Sequence, residues 1–276
     1  MTEATGINPH ALARELMAAY AERQTLVVPP SARDARFDLA VAYAVEAELV
    51  RLRQASGHRR VGRKVGFANK AMWRALKLET LVWASMYDDT VRYATGNNAS
   101  LSLAAMVSPK IEPEIVFKMK KSATGSPEAA QVLDAVEWVA LGFEIIDCVF
   151  ADWKFGPADF VAAYGLHAAL IVGEPQRVEP HLIPALVEQL ARFKVQLLKD
   201  GALVDEGSGR NSLRSPALCL GELASAIARQ SGAEPLTPGE LVSSGTLTES
   251  QPIAPGETWT AIVDGLDVPS LTLSTL

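Results

Sequence analysis

The sequence predicts an α+β protein, and three observations predict it. The first 54 residues carry two apolar stripes at helical spacing. Two central segments, 108–118 and 139–147, instead alternate with period two, as strands do. From Val242 onward the chain breaks into short strand-like pieces punctuated by Gly and Pro. With 276 residues, 49% of them hydrophobic, a substantial core is available, either as one large domain or as a domain with a small cap.

The elements follow in order. Asn8-Pro9 opens a helix through about Arg23, with Leu12, Leu16, Met17 and Tyr20 on one stripe. Val28-Pro29-Pro30-Ser31 breaks it, and a second helix is predicted from about Asp34 to Gln54. These helices form an N-terminal helical cap over 1–60, ahead of a main domain over 61–276. Val61 to Phe67 reads as a short strand, and Asn69 caps a short helix to about Leu76. Val82 to Tyr87 leads into a turn at Asp88-Asp89, and Asn97-Asn98 marks another. After the strand at 108–118, residues 120–127 are a polar loop, and a helix is predicted from about Pro127 to Trp138. Ala168 to Val172 and Phe193 to Lys199 alternate around a helix at Ile183 to Leu190, and Ser215-Pro216 starts a helix to about Gln230. There are no internal repeats.

The chemistry begins at Pro109-Lys110-Ile111-Glu112-Pro113-Glu114-Ile115-Val116-Phe117. With period two, Ile111, Ile115 and Phe117 share a face that packs on a core, and Glu112 and Glu114 project together from the other. They sit about 6.5–7 Å apart along a strand. Two like charges that close call for a cation between them, and a hard divalent ion with oxygen ligands answers simply. An edge strand with two solvated glutamates is the alternative. In Val139 to Asp147, Val139, Leu141, Phe143 and Ile145 form one face, and Glu144 points from the other among small or apolar neighbours. Burying a lone carboxylate there is costly unless it is paired or binds metal, so Glu144 is either a third ligand or half of an ion pair with Lys or Arg.

The exclusions are brief. Net charge is −6, and no basic tract points to nucleic acid. No apolar run has the length of a membrane span, and the N-terminal segment lacks signal-peptide patterning. Cys148 and Cys219, far apart and among apolar residues, read as core positions of a reduced, cytoplasmic protein.

Pro109 to Glu114 resembles the metal strand of the fumarylacetoacetate hydrolase superfamily, and Leu141 to Asp147 resembles its third-ligand strand. Val41 to Glu46, Gly62-Arg63-Lys64-Val65-Gly66-Phe67 and Leu236 to Thr246 match as well. Within the superfamily the chain is most similar to the 2-keto-4-pentenoate hydratase and 4-oxalocrotonate decarboxylase group, over roughly 35–275. The resemblance implies a mixed β-roll core. It implies that Glu112, Glu114 and Glu144 bind Mg²⁺ or Mn²⁺, which would chelate a 2-oxo acid and polarise its keto group. It assigns Lys64 to the family's lysine, near the substrate, and Gly245 and Thr246 to a turn that contacts substrate. It also implies a small-molecule 2-oxo acid partner and a homo-oligomer.

Two family signatures are absent. Ala162-Ala163-Tyr164 stands where an Ala-Asp-Asn run is common, and Leu81-Val82 stands where a Pro-Asp pair is common. His167 follows the first gap and could supply the lost acid–base function, or it could be a structural histidine in an apolar strand. Lys154, in Asp152-Trp153-Lys154-Phe155, is a further catalytic candidate or an ordinary loop lysine. The leading expectation is hydration of a 2-hydroxy-2,4-dienoate, or its 2-oxo-3-enoate tautomer, to a 4-hydroxy-2-oxo acid, as in meta-cleavage of aromatics. The alternatives are decarboxylation of a 4-oxalocrotonate-like acid and hydrolysis of an acylpyruvate, which would ask for a water-activating His–Glu pair. From a different class, a non-catalytic 2-oxo-acid-binding relative is the fourth.

Overall fold

The computed structural model describes residues 6–26, 28–123 and 128–276. Helix α1 (Pro9–Ala21) starts at Asn8, whose side chain accepts the Ala11 N–H at 3.1 Å. The predicted second helix starts later than expected, at Leu39. A single turn, α2 (Pro30–Arg33), precedes α3 (Leu39–Ala55), which is capped by Asp38 rather than opened at Asp34. Asp34 instead accepts from the Gly6 N–H and from Arg36, so it holds the connecting turn. Leu12, Leu16, Val45 and Leu49 bury the apolar stripes of α1 and α3 in a cluster with Val82, Ile146, Cys148 and Phe160 from later elements.

Beyond this cap, β1 (Arg60–Gly66) leads through α4 (Lys70–Leu76) to β2 (Val82–Tyr87), β3 (Val91–Tyr93) and β4 (Asn98–Leu101). Strand β5 (Pro109–Met119) carries the E-x-E pattern. After it, α5 (Ala129–Leu133) is only five residues long. The predicted start of that helix, Pro127, lies outside the described residues, as do 124–126. Its predicted end is wrong, because β6 (Val136–Asp147) already begins at Val136. Trp138 pairs with Lys118 and, past a register shift, Val136 pairs with Met119, so pairing with β5 overrides the helical spacing. Then come α6 (Pro157–Ala162), β7 (His167–Val172), β8 (Gln176–Arg177), α7 (Ile183–Arg192), β9 (Lys194–Lys199) and β10 (Ala202–Ser208). The chain finishes with α8 (Pro216–Arg229), β11 (Leu241–Ser243), β12 (Gln251–Pro252), β13 (Thr258–Asp264) and β14 (Leu271–Thr275).

The strands form two mixed sheets. The larger runs β2-β1-β11-β5-β6-β7-β3, with β12 added on β5 and β8 on β6; the smaller runs β10-β9-β13-β14-β4. One face of the larger sheet offers Ile111, Ile115, Phe117, Leu141, Phe143 and Ile145 to the main core, where Trp259, Leu271 and Leu273 of the smaller sheet and Leu220 and Leu223 of α8 meet them. These are the apolar faces predicted from period two. The opposite face is concave. Strands β1 and β6 are three steps apart, about 14 Å in a flat sheet, yet Lys64 Nζ on β1 lies 3.2 Å from Glu144 Oε1 on β6. Only a sheet curled toward that face closes such a gap, which makes the core a β-roll beneath the helical cap.

Candidate metal centre and active site

Register assembles the centre. Strands β5 and β6 are antiparallel, with Glu112 opposite Glu144 and Glu114 opposite Gly142, so the three carboxylates share one face. Each offers one oxygen within 4.8 Å of the others. Glu114 and Glu144 are fully buried, and Glu112 is half-buried at the wall of a cavity of about 700 Å³.

The two fully buried carboxylates are each held on one side. Glu114 Oε2 accepts from Ser243 Oγ at 2.5 Å and from the Gly245 N–H at 2.8 Å, both on or just after β11. Glu144 Oε1 faces Lys64 Nζ and His167 Nδ1, the latter at 3.0 Å. The remaining oxygens, Glu114 Oε1 and Glu144 Oε2, are buried without a partner. A buried carboxylate oxygen left bare is expensive, so this is where a cation belongs.

The electrostatics agree. Burial pushes the Glu112 carboxyl up to about 7, with Lys64 opposing and Glu144 adding to the shift. Burial and repulsion from Glu144 and Glu112 push Glu114 well above the carboxylate range. Burial would also raise Glu144, but Lys64 and His167 outweigh it and hold this carboxyl below its ordinary value. For Lys64, burial favours the neutral amine, and the three carboxylates overcome it and raise its pKa. One cation therefore serves three acids. The ion-pair reading of Glu144 holds through Lys64, and its second oxygen is left buried and bare.

Lys64 is 1% exposed and lines the cavity. Its ammonium lies 4.9 Å from the Phe160 ring centroid. Gly165, at φ +60°, packs on its stem: a Cβ there would come within 2.7 Å of Lys64 Cδ. Gly245 and Thr246 line the same cavity. The Gly245 N–H donates to Glu114, so this turn positions that carboxylate as well as forming the wall. Its φ of +92° explains the glycine.

The structure does not bring the other two candidates into the cavity. The Lys154 side chain is 78% exposed and pairs with Asp152 at 3.0 Å, while its neighbours Trp153 and Phe155 line the wall. Asp152 and Trp153 take positive φ, and this tight turn sends Lys154 outward. His167 is buried behind Glu144 and does not face the main cavity. Nδ1 meets Glu144, and Nε2 lies 2.9 Å from Thr90 Oγ1. A His–Glu pair thus exists, but it is turned away from the place where a hydrolytic water would be needed. Sequence reasoning missed Ser243, Thr90, Phe160 and Gly165. Only Ser243 had a signal, as part of Ser243-Ser244-Gly245-Thr246; the others become neighbours through the curl. Cys148 and Cys219 are buried free thiols, as expected of core positions. No helix among the described residues is long and apolar enough to cross a membrane.

Comparison with known proteins places this geometry. The model of the fumarylacetoacetate hydrolase C-terminal family matches residues 61–269. A 2-hydroxyhexa-2,4-dienoate hydratase of Comamonas testosteroni is 31% identical over 83% of this chain and 84% of its own. A 4-oxalocrotonate decarboxylase of a Pseudomonas species is 31% identical over 79% of this chain and 82% of its own. Among solved structures, the 4-oxalocrotonate decarboxylase of Pseudomonas putida G7, complexed with magnesium and adipate, superposes with a TM-score of 0.86 over 97% of both chains at 24% identity. With the family model covering most of its length and the ligand strands in register, the chain belongs to the fumarylacetoacetate hydrolase C-terminal family.

Proposed function

We propose that the protein is a divalent-metal-dependent hydratase, a hydro-lyase. It adds water to a 2-hydroxy-2,4-dienoate, or to the 2-oxo-3-enoate tautomer, and gives a 4-hydroxy-2-oxo acid. The observation that carries this reading is the carboxylate cluster: three acids on one concave wall, two of their buried oxygens unpartnered, with buried Lys64 alongside. The similarity to the dienoate hydratase supplies the reaction class. Oxygen-only donors suit Mg²⁺ or Mn²⁺ better than zinc. Glu112, Glu114 and Glu144 would hold the ion, which when bound supplies Lewis-acid polarisation of a 2-oxo acid's keto oxygen.

The chain's own residues do the rest. Lys64, kept cationic by the acids around it, holds the negative charge that develops on the substrate oxygen and delivers a proton at carbon. Phe67, Ile146, Trp153, Phe155 and Leu166 wall the cavity with apolar surface and shield the diene from bulk water. Gly245 and Thr246 place the substrate against the carboxylate wall, and His167 keeps Glu144 in position. The segment that replaces the family's Pro-Asp pair lies in and before β2, where Trp83 is buried against Tyr43, and no acid reaches the cavity from there. Lys64 is therefore the cavity's central proton carrier. The test is turnover of 2-hydroxyhexa-2,4-dienoate with Mg²⁺, followed as loss of the dienol absorbance and appearance of the 4-hydroxy-2-oxo acid. No turnover of any 2-hydroxydienoate by metal-loaded protein would overturn the reading.

Decarboxylation of a 4-oxalocrotonate-like dicarboxylate is the second reading. Arg210 and Arg214 stand at the cavity mouth, exposed and without a side-chain partner among the described residues, as a second substrate carboxylate would ask. Release of CO₂ from a 2-oxo-3-enedioate would favour it. We also infer a homo-oligomer: Leu203, Val204 and Ile262 leave large apolar side chains exposed on the smaller sheet, and sedimentation would reveal a monomer if the inference is wrong.

A further inference from the structure

The Glu144 carboxylate is tied through one oxygen, and the nature of that tie is specific. His167 Nδ1 lies 3.0 Å from Oε1. A bare ring nitrogen there would set lone pair against lone pair, so Nδ1 must carry the hydrogen. Nε2, on the far side of the ring, needs a partner of its own. Its partner is the Thr90 hydroxyl at 2.9 Å. Thr90 is itself well placed. Its N–H bonds to Tyr87 O at 3.0 Å, its carbonyl accepts from the Leu170 N–H at 2.9 Å, and its hydroxyl oxygen accepts from the Tyr87 N–H at 3.2 Å. The hydroxyl also donates to Tyr87 O at 2.9 Å, so it is fixed to the backbone while it meets the ring.

We propose that Thr90 is a positioning residue for the metal centre: its hydroxyl hydrogen-bonds His167 Nε2, holds the ring with Nδ1 on Glu144, and so keeps Glu144 Oε1 engaged and Oε2 bare. The inference rests on reading these three acids as ligands. It assigns a role to a residue outside the main cavity; Thr90 and His167 instead border a second cavity of about 460 Å³, with Tyr20, Tyr87 and Tyr164, behind the ligand strand. Without the hydroxyl, the buried Nε2 loses its partner, and the ring is free to turn away from Glu144.

The test is Mn²⁺ titration of the full chain, read by the electron paramagnetic resonance of free Mn²⁺, for the unaltered protein and for Thr90→Val, Thr90→Ser, His167→Ala and the Thr90→Val/His167→Ala pair. Thr90→Ala stands in if the valine variant does not fold. We expect Thr90→Val to weaken Mn²⁺ binding by about 10-fold or more, as outer-shell partners do, and Thr90→Ser to stay within about 2-fold of the unaltered protein. In the His167→Ala background Thr90→Val should add nothing, because its effect passes through the ring. Unchanged binding in Thr90→Val, or the same loss with and without His167, would overturn the inference alone. No Mn²⁺ binding by the unaltered protein would overturn the metal-centre reading on which it rests.

Discussion

Arg63 and Lys64 are neighbours on β1, and both are buried to 1% exposure or less. They look to opposite sides of the sheet, and their surroundings differ in kind. Arg63 pairs with Glu240, donates to the Glu234 carbonyl at 2.9 Å and stacks at 5.3 Å on Trp83. Arg60 reaches both Glu234 and Glu240, so each of these acids has a cation partner there, and Arg63 Nε is left unpartnered. Lys64 faces three carboxylates alone, and two of their oxygens have no donor. The first is a balanced ion pair that a fold can bury for its own sake. The second is an imbalance that no fold has reason to keep unless a cation from outside completes it.

The predictions break or sharpen that contrast. The largest effect belongs to the ligands. Glu144→Gln and Glu114→Gln should each weaken Mn²⁺ binding by more than the 10–100-fold typical of outer-shell changes and abolish turnover, measured by calorimetric titration and initial rates. Next, Lys64→Ala should lower kcat by about 10²–10⁴-fold, as loss of a proton-transfer group does, with a modest change in metal affinity; an unchanged rate would return Lys64 to a structural role. On the other side of the sheet, Arg63→Ala should destabilise the fold by about 3–5 kcal/mol, the penalty for an uncompensated buried charge. Denaturant unfolding measures it, and the fraction still folded should bind Mn²⁺ normally. Equal damage to both properties would erase the contrast.

A fourth prediction concerns pH. Glu112 has its pKa raised to about 7, so its proton competes with metal below that pH. The sign follows: affinity falls as pH falls, by about tenfold per unit below pH 7 for one displaced proton. Titrations at pH 8 and pH 6 should show the slope, and Glu112→Gln should reduce it without removing it, because Glu114 is also held well above the carboxylate range and sheds a proton on binding. The smallest effect is expected at Lys154, whose exposed ion pair with Asp152 contributes little. Lys154→Ala should leave kcat within about 2-fold of the unaltered protein, the range left open by a surface pair worth under 1 kcal/mol.

How much of this was readable in the chain depends on what the spacing encodes. Period two put Glu112, Glu114 and Glu144 on non-core faces, because a strand's alternation is local and rigid. Glycine after Ser244 marked a turn that only a left-handed backbone could make. The late start of the second helix after Asp38 and the early start of β6 at Val136 were not readable, because helical spacing over a few residues does not say where a tertiary partner takes over. Nor was the position of His167, which period two sets on a face of β7 without saying what lies across it. A register shift between Ile145 and Ile146 brings β7 alongside β6 so that the ring reaches Glu144 from behind. Thr90, 77 residues away in sequence, meets that ring only in the folded sheet.

The facing of Glu112 and Glu144 across β5 and β6 has a consequence for how the chain can vary. Eleven residue pairs lock these strands, and a slip of one position would turn Glu144 into the apolar core. The centre is thus a digital device, formed in one alignment and absent from its neighbours. Insertions and deletions should be tolerated in the connection between the two strands and at the surface turns, and excluded from the strands themselves. A library of single-residue insertions would trace the centre as a sharp silent zone, with no graded edge.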